Sequence, residues 1–179
     1  MKKLTKKITI ATAFLCGGLL AGVGFANVNS ATAAAAEADK FFKVQSVALR
    51  LPDEQYGEGI RFTIVMDATT YAEENVANLT TGILLIPNYA LGSEELVVDS
   101  TNAAMMKVEG VSWTADEGVM KMYVHLYNIP DTEYATDVSI RAYVDDNDAT
   151  TAPIYTDVAV SSVAKAADWL YENDDLTDT

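Results

Sequence analysis

The stretch that decides the fold runs from Val119 to Asp145 and reads VMKMYVHLYNIPDTEYATDVSIRAYVD. Apolar and polar side chains alternate along residues 119–127 and again along 135–145, as they do in a strand whose successive side chains point to opposite faces. The intervening NIPD at residues 128–131 is typical of a turn. We therefore predict an antiparallel pair with one apolar face and a second face of tyrosines, a histidine and an arginine.

Further strands are expected on either side of this pair, at residues 41–51, 59–67, 81–87, 105–111 and 152–158. The run ILLI at residues 83–86 does not alternate, which favours a central strand buried on both faces. Short helices are expected at residues 69–79 and from Gly92 onward, and residues 159–171 change to helical periodicity. These patterns predict a mainly β, immunoglobulin-like antiparallel β-sandwich with one or two short helices and a C-terminal α-helix.

The N-terminus has the features of an export signal. Four lysines precede an uncharged apolar run at residues 8–26, and Ala31-Thr32-Ala33 supplies the small residues that signal peptidase requires. Two alternatives are an uncleaved membrane anchor, because the run is long enough to span a bilayer, and a lipoprotein modified at Cys16. We predict a signal peptide at residues 1–33, a linker at 34–40, one module at 41–172 and an acidic tail at 173–179.

Composition narrows the classes of partner. The chain has 12 basic and 26 acidic residues and a net charge of −14, and four of the basic residues lie in the predicted leader. Such a charge repels nucleic acid and anionic lipid, so we expect neither nucleic-acid binding nor membrane association after signal removal. The single cysteine, Cys16, also lies in the leader, which leaves no disulfide in the mature chain and suits export from a Gram-positive cell.

The arginines of the predicted mature chain, Arg50, Arg61 and Arg141, all fall within expected strands, which suggests that they share a face. Arginine gives forked hydrogen bonds, and tyrosine rings offer flat surfaces for sugars. The predicted ligand-binding residues are Arg61, Arg141, Tyr123, Tyr127, Tyr143 and His125. The alternative is structural: the arginines pair with strand acids such as Asp67 and Asp137 and pack beneath the C-terminal helix, while His125 packs across strands.

Nothing in the sequence indicates catalysis or a cofactor. His125 is the only histidine, so a nucleophile–histidine pair must include it, and the adjacent acids at 73–74, 94–95 and 116–117 lack the separation of a glycosidase pair. The turn at Asp145 to Asp148 is rich in oxygen ligands but lacks the glycine and distal glutamate of a calcium loop. We expect no catalytic residue, no metal and no cofactor; calcium at this turn is the alternative.

Four segments together resemble a β-rich accessory module of exported surface proteins of Firmicutes. They are SVALRL at residues 46–51, GIRFT at 59–63, GILLIP at 82–87 and IRAYV at 140–144, followed by Ser162-Val163-Ala164 at the start of a helix. The resemblance covers residues 44–170 in the same order. It departs at Ile83, where that module usually has threonine. It implies a β-rich extracellular module and supplies no activity.

The leading hypothesis is a secreted or cell-surface, non-enzymatic binding module that recognises a glycan or a surface protein. The second is a structural subunit of an extracellular assembly that pairs through a strand edge. A hydrolase that uses acidic residues is the third.

Overall fold

The computed structural model describes residues 26–27, 41–52 and 55–173. The chain is mainly β, and two antiparallel sheets pack face to face, which confirms the predicted sandwich. The strands are β1 (Ala26–Asn27), β2 (Phe42–Arg50), β3 (Gly59–Asp67), β4 (Thr80–Pro87), β5 (Met106–Glu109), β6 (Thr114–Asp116), β7 (Val119–Tyr127), β8 (Val138–Asp145), β9 (Ile154–Tyr155) and β10 (Ala159–Ser161). The helices are α1 (Ala68–Glu73), α2 (Asn88–Leu91) and α3 (Val163–Asn173).

Several predicted segments fall where the structure gives no description. The signal peptide, apart from β1, and the linker at 34–40 lie outside the described residues, as does the acidic tail beyond Asn173. The predicted domain boundaries and the cleavage site therefore stay predictions. Strand β1 falls within the predicted signal peptide and pairs with Ser46 and Val47 of β2.

The strand order separates β7 from β8, which the sequence predicts as an antiparallel pair. The first sheet has the order β1-β2-β3-β7-β6, and the second has the order β10-β8-β4-β5 with β9 also paired to β8. Strands β7 and β8 therefore lie in opposite sheets, and the predicted hairpin between them is wrong. Their connection crosses the end of the sandwich, where Ile129 and Tyr134 pack against the core.

The residue that follows β7 fixes this connection. Asn128 takes a left-handed conformation with φ of 55°, which asparagine tolerates better than most residues. Its Oδ1 accepts the backbone N–H of Gly57 at 2.9 Å, so the turn is bonded to the β2–β3 connection instead of folding back onto β7. A 3-10 turn at Asp131–Glu133 completes the crossing.

The main core fills the space between the sheets. One face of β3 and one face of β7 supply it, with Ile60, Phe62, Ile64 and Met66 alternating in β3. The second sheet adds Ile83, Leu85, Ile140, Ala142 and Val144. Alternation in these strands thus orients the apolar faces inward, as period-two patterning predicts.

Helix α3 adds its buried side to the core between the sheets. Its buried residues, Val163 and Ala166, belong to the same core cluster as the inward-facing strand residues. The backbone N–H of Ala164 bonds to the carbonyl of Tyr134 at 2.9 Å, which ties the helix to the crossing connection. The helix starts later than predicted, because residues 159–161 form β10 at the edge of the second sheet.

A smaller core lies on the outer face of the second sheet. Leu84, Ile86 and Tyr143 form it with Leu96, which belongs to the segment that follows α2. Strand β4 is therefore buried on both faces, which confirms the interpretation of the ILLI run. The helix predicted from Gly92 is wrong: Gly92 has φ of 60° and ends α2 instead.

The helix predicted at residues 69–79 forms as two short pieces. The Asp67 side chain caps α1 by accepting the N–H groups of Thr69 and Thr70, and these bonds lower the pKa of the Asp67 carboxyl. Asn75 then takes a left-handed conformation that separates α1 from a 3-10 turn at Val76–Asn78. The strands at 105–111 and 152–158 form as predicted but shorter.

Candidate functional site

The outer face of the first sheet carries a group of basic and aromatic side chains. Arg61 of β3 lies directly opposite His125 of β7, and Tyr123 and Tyr127 flank His125 on the same side of β7. Arg50 of β2 occupies the same face, two positions along the ladder from Arg61. We call these five residues the Arg–Tyr face. The antiparallel register of three strands brings them together.

Arg61 and Tyr123 form the accessible part of the Arg–Tyr face. The guanidinium carbon of Arg61 lies 5.3 Å from the centre of the Tyr123 ring, within the range of a cation–π contact. Tyr123 is 37% exposed and Arg61 is half-buried. The ring and the cation therefore meet at the surface, where a second molecule can contact both.

Arg61 lacks the carboxylate partner that four other cations of the described chain have. Its Nε is buried without a hydrogen-bond acceptor, and no carboxylate of the described segments forms an ion pair with it. Carboxylates do pair with four other cations: Lys107, Lys121, Arg141 and Lys165. In a chain this acidic, a half-buried arginine without a carboxylate is the exception.

A stack of rings supports the other end of the Arg–Tyr face. The Tyr127 ring stacks on Tyr56 with centroids 4.5 Å apart and on His125 with centroids 5.4 Å apart, and the guanidinium of Arg50 lies 4.7 Å from its centre. Tyr127 is only 3% exposed. It therefore holds Arg50 and His125 in place and offers little surface of its own to a ligand.

Glycine is required at the centre of this stack. Gly59 lies between Arg50 and Tyr127 in the ladder, so the guanidinium reaches the ring across a residue without a side chain. A Cβ at this position would stand 1.7 Å from the carbonyl oxygen of Leu126. The close approach of β3 to β7 therefore depends on the glycine.

His125 is held neutral at ordinary pH. Its burial, and then the positive charges of Arg50 and Arg61, lower the pKa of the imidazole to about 4. Its Nδ1 is buried and has no hydrogen-bond partner within the described ranges. The neutral ring can donate one hydrogen bond and accept another, and it adds no charge to the Arg–Tyr face.

Two predicted site residues lie on the opposite side of the molecule. Arg141 and Tyr143 belong to β8 in the second sheet, so the prediction that the three arginines share a face is wrong. The alternation of side chains along each strand was predicted correctly. Two strands share a face only when they belong to the same sheet, and β8 does not belong to the sheet of β3 and β7. The structure brings together Arg61, Tyr123, Tyr127 and His125, and it does not bring Arg141 or Tyr143 to them.

Arg141 has structural partners where it lies. Its Nε donates to the carbonyl of Thr156 at 2.9 Å, its Nη1 donates to the carbonyl of Leu96 at 3.0 Å, and its guanidinium lies 4.3 Å from the Tyr155 ring centre. These bonds fasten the segment after α2 to the outer face of the second sheet. Glu95 completes the set as an exposed ion-pair partner at 3.4 Å.

Tyr143 is buried in the same region. Its ring lies over Gly82, and its hydroxyl donates to Glu109 at 3.2 Å. Burial, followed by the charge of Glu109, raises the pKa of Tyr143 above its usual value. The phenol therefore stays protonated and serves as a packed hydrogen-bond donor.

The acids proposed as alternative arginine partners have other roles. Asp67 caps α1, and Asp137 forms an ion pair with Lys165 at 2.7 Å. Neither contacts Arg61. The predicted ligand-binding residues did not include Tyr56 or Arg50, although Arg50 was expected to share a face with Arg61 and does so. Tyr56 lies in a connection without periodicity, and the position of Arg50 depends on a β-bulge between Val44 and Ser46.

The geometry also bears on catalytic and metal-binding alternatives. Ser139 lies in the second sheet and donates to Asn88 at 2.7 Å, so it is not beside His125. In the acidic turn, Asp145, Asp146 and Asp148 each accept the N–H of a residue two positions onward, as turn residues do without an ion. Among residues 41–52 and 55–173, no three His, Cys, Asp or Glu side chains are grouped to hold a metal.

Comparison with known proteins gives no match: no family model, no curated protein and no solved structure matches the chain. The helices of the described ranges are too short or too polar to cross a membrane.

Proposed function

We propose that this chain is a secreted or cell-surface, non-enzymatic binding module whose contact surface is the Arg–Tyr face. The observation that carries the proposal is the half-buried guanidinium of Arg61. It has no carboxylate partner in the described part of the chain, and it lies against the exposed Tyr123 ring. The resemblance to exported accessory modules and the export-type N-terminus support the same conclusion.

The energetics favour an external partner for Arg61. A buried polar group without a partner costs on the order of 1–3 kcal/mol, and a charged one costs more. A ligand carboxylate that pairs with the guanidinium supplies the counter-charge that Arg61 lacks within the described residues. The neighbouring ring adds a flat apolar surface, which is the usual companion of a few polar groups in ligand sites.

The proposal is tested by a glycan array and a pull-down on cell envelopes with three proteins: wild type, Arg61→Ala and Lys43→Ala. Lys43 is an exposed cation on the same outer face, at the far end of β2, so it is a matched control for loss of one charge. We expect hits that Arg61→Ala loses and Lys43→Ala keeps. Hits that both variants retain equally would remove the Arg–Tyr face as the contact surface.

A second candidate is pairing through the edge of β2. Along the outer edge of this nine-residue strand, the ladder within the described residues joins only Ser46 and Val47 to β1. Strand β1 lies in the predicted signal peptide, so cleavage after Ala33 removes it and opens the edge to a second copy. Sedimentation of the mature protein tests this candidate, and a monomer at every concentration would contradict it.

A further inference from the structure

We propose that the ligand of the Arg–Tyr face is an acidic saccharide, with the carboxylate of a hexuronic acid residue bound by Arg61 and its ring in contact with Tyr123. This inference rests on the proposed function and names the class of ligand for the same surface. The Arg–Tyr face would recognise one carboxylate and one sugar ring that lie next to each other in the ligand.

The carboxylate follows from charge complementarity. Arg61 has no carboxylate partner in the described segments, although the chain has 26 acidic residues and four other cations form ion pairs. A planar guanidinium fits a carboxylate with two parallel hydrogen bonds, and these are among the stronger bonds in proteins. The ligand therefore supplies the negative charge that Arg61 does not find among the described residues.

The sugar ring is inferred from Tyr123, the aromatic side chain that lies against Arg61. Tyr123 presents 37% of its surface, and its ring centre lies 5.3 Å from the guanidinium carbon. In a hexuronic acid the carboxylate is attached directly to the ring, so a single residue can contact both side chains across that distance. An aromatic side chain buries the apolar face of such a ring at low entropic cost.

The net charge of the protein limits how acidic the ligand can be. A chain with a net charge of −14 repels a dense polyanion such as nucleic acid, while contacts within the roughly 8 Å screening length of physiological salt remain effective. The Arg–Tyr face adds only Arg50 and Arg61, because His125 is neutral. A saccharide with no more than one carboxylate on each ring fits this field better than a phosphate polymer.

Calorimetry at neutral pH tests the inference with trigalacturonate and its methyl ester, which has the same rings without the charges. The variants are Arg61→Gln, Tyr123→Leu and the control Lys43→Gln. We expect wild type to bind the acid roughly tenfold more tightly than the ester, which corresponds to one charge-assisted contact. Arg61→Gln removes this preference, Tyr123→Leu weakens the binding of both compounds, and Lys43→Gln changes neither. Melting curves confirm that each variant is folded.

The outcomes separate this inference from the proposed function. Equal binding of acid and ester, lost in Tyr123→Leu, overturns the acidic ligand and leaves the Arg–Tyr face as a binding surface. Absence of binding to both compounds also overturns it, while array hits that depend on Arg61 keep the proposed function. Binding of a poly-glutamate peptide that depends on Arg61, without binding of trigalacturonate, would make the partner an acidic peptide.

Discussion

Arg61 and His125 face each other across β3 and β7, and each has a buried side-chain nitrogen without a hydrogen-bond partner among the described residues. Buried polar atoms are nearly always satisfied in proteins, so two neighbouring exceptions need an explanation. The fold leaves these polar atoms unsatisfied beneath the Arg–Tyr face, and a ligand carboxylate at Arg61 would supply the counter-charge that the described residues do not.

The pH dependence of stability should report the state of His125. Its folded pKa of about 4 is below the unfolded value of 6.5, so the unfolded chain binds the proton first as the pH falls. The free energy of unfolding is therefore unaffected by this group above about pH 6.5 and decreases as the pH falls to 4. The expected loss is roughly 2–3 kcal/mol, since part of the ring keeps contact with solvent.

Urea denaturation of wild type and His125→Phe at about pH 7, 5.5 and 4 checks this prediction. Phenylalanine keeps the stacking on Tyr127 and cannot titrate. Both proteins share the titration of the carboxylates, so the difference between them isolates His125. If the free energies of unfolding of the two proteins differ by the same amount at all three pH values, the imidazole is not buried beside two arginines.

Two glycines should respond differently to the same substitution. Gly59→Ala places a Cβ against the backbone of Leu126 and Tyr127, and we expect a loss of about 3 kcal/mol or more in the free energy of unfolding. Gly82→Ala places a Cβ 2.3 Å from ring atoms of Tyr143. This clash is with a side chain, which a second substitution can shorten.

A double-mutant cycle separates the two cases. Tyr143→Leu should partly rescue Gly82→Ala, so that the double variant is more stable than additivity predicts. It should leave the effect of Gly59→Ala unchanged, because Gly59 lies in the other sheet. Additive behaviour of Gly82→Ala with Tyr143→Leu would mean that the Tyr143 ring does not cover Gly82.

Arg141 should matter for stability and not for binding. Arg141→Lys loses the bonds to the carbonyls of Thr156 and Leu96, since a lysine ammonium cannot reproduce the fork. We expect a decrease of about 2 kcal/mol in the free energy of unfolding. Arg61→Lys, which breaks no bond to an acceptor in the described chain, is the comparison and should cost less.

Ligand affinity completes this comparison. Folded Arg141→Lys should bind as wild type does, while Arg61→Lys should bind more weakly. A weaker affinity of Arg141→Lys at temperatures where it is folded would place the contact on the second sheet.

The sequence predicted the layers of this fold better than the composition of the site. Alternation assigned the inward side chains of β3 and β7 correctly, because the period of a strand depends on local geometry alone. Which strands share a sheet depends on the connection: Asn128 bonds to Gly57 instead of closing a hairpin, and this sends β8 to the other layer. Arg141 and Tyr143 were therefore assigned to the right parity and the wrong surface.

Tyr56 shows a second limit of prediction from sequence. It completes the stack on Tyr127, yet it lies in a connection where no periodic pattern marks its direction. Helix prediction failed for a related reason at Gly92, where a positive φ ends α2 instead of preceding a new helix. Turn conformations depend on tertiary bonds that local patterns do not record.

The most direct test is an NMR titration of His125, the only histidine of the chain, with and without saturating trigalacturonate. The groups around its ring are Arg50 of β2, Arg61 of β3, and Tyr123 and Tyr127 of β7; Tyr56 in turn stacks on Tyr127. A carboxylate bound at Arg61 offsets the positive charge that lowers the imidazole pKa, so we expect the ligand to raise this pKa from about 4 in wild type and to leave it unmoved in Arg61→Gln. A pKa that saturating ligand does not change in wild type would contradict binding at the Arg–Tyr face.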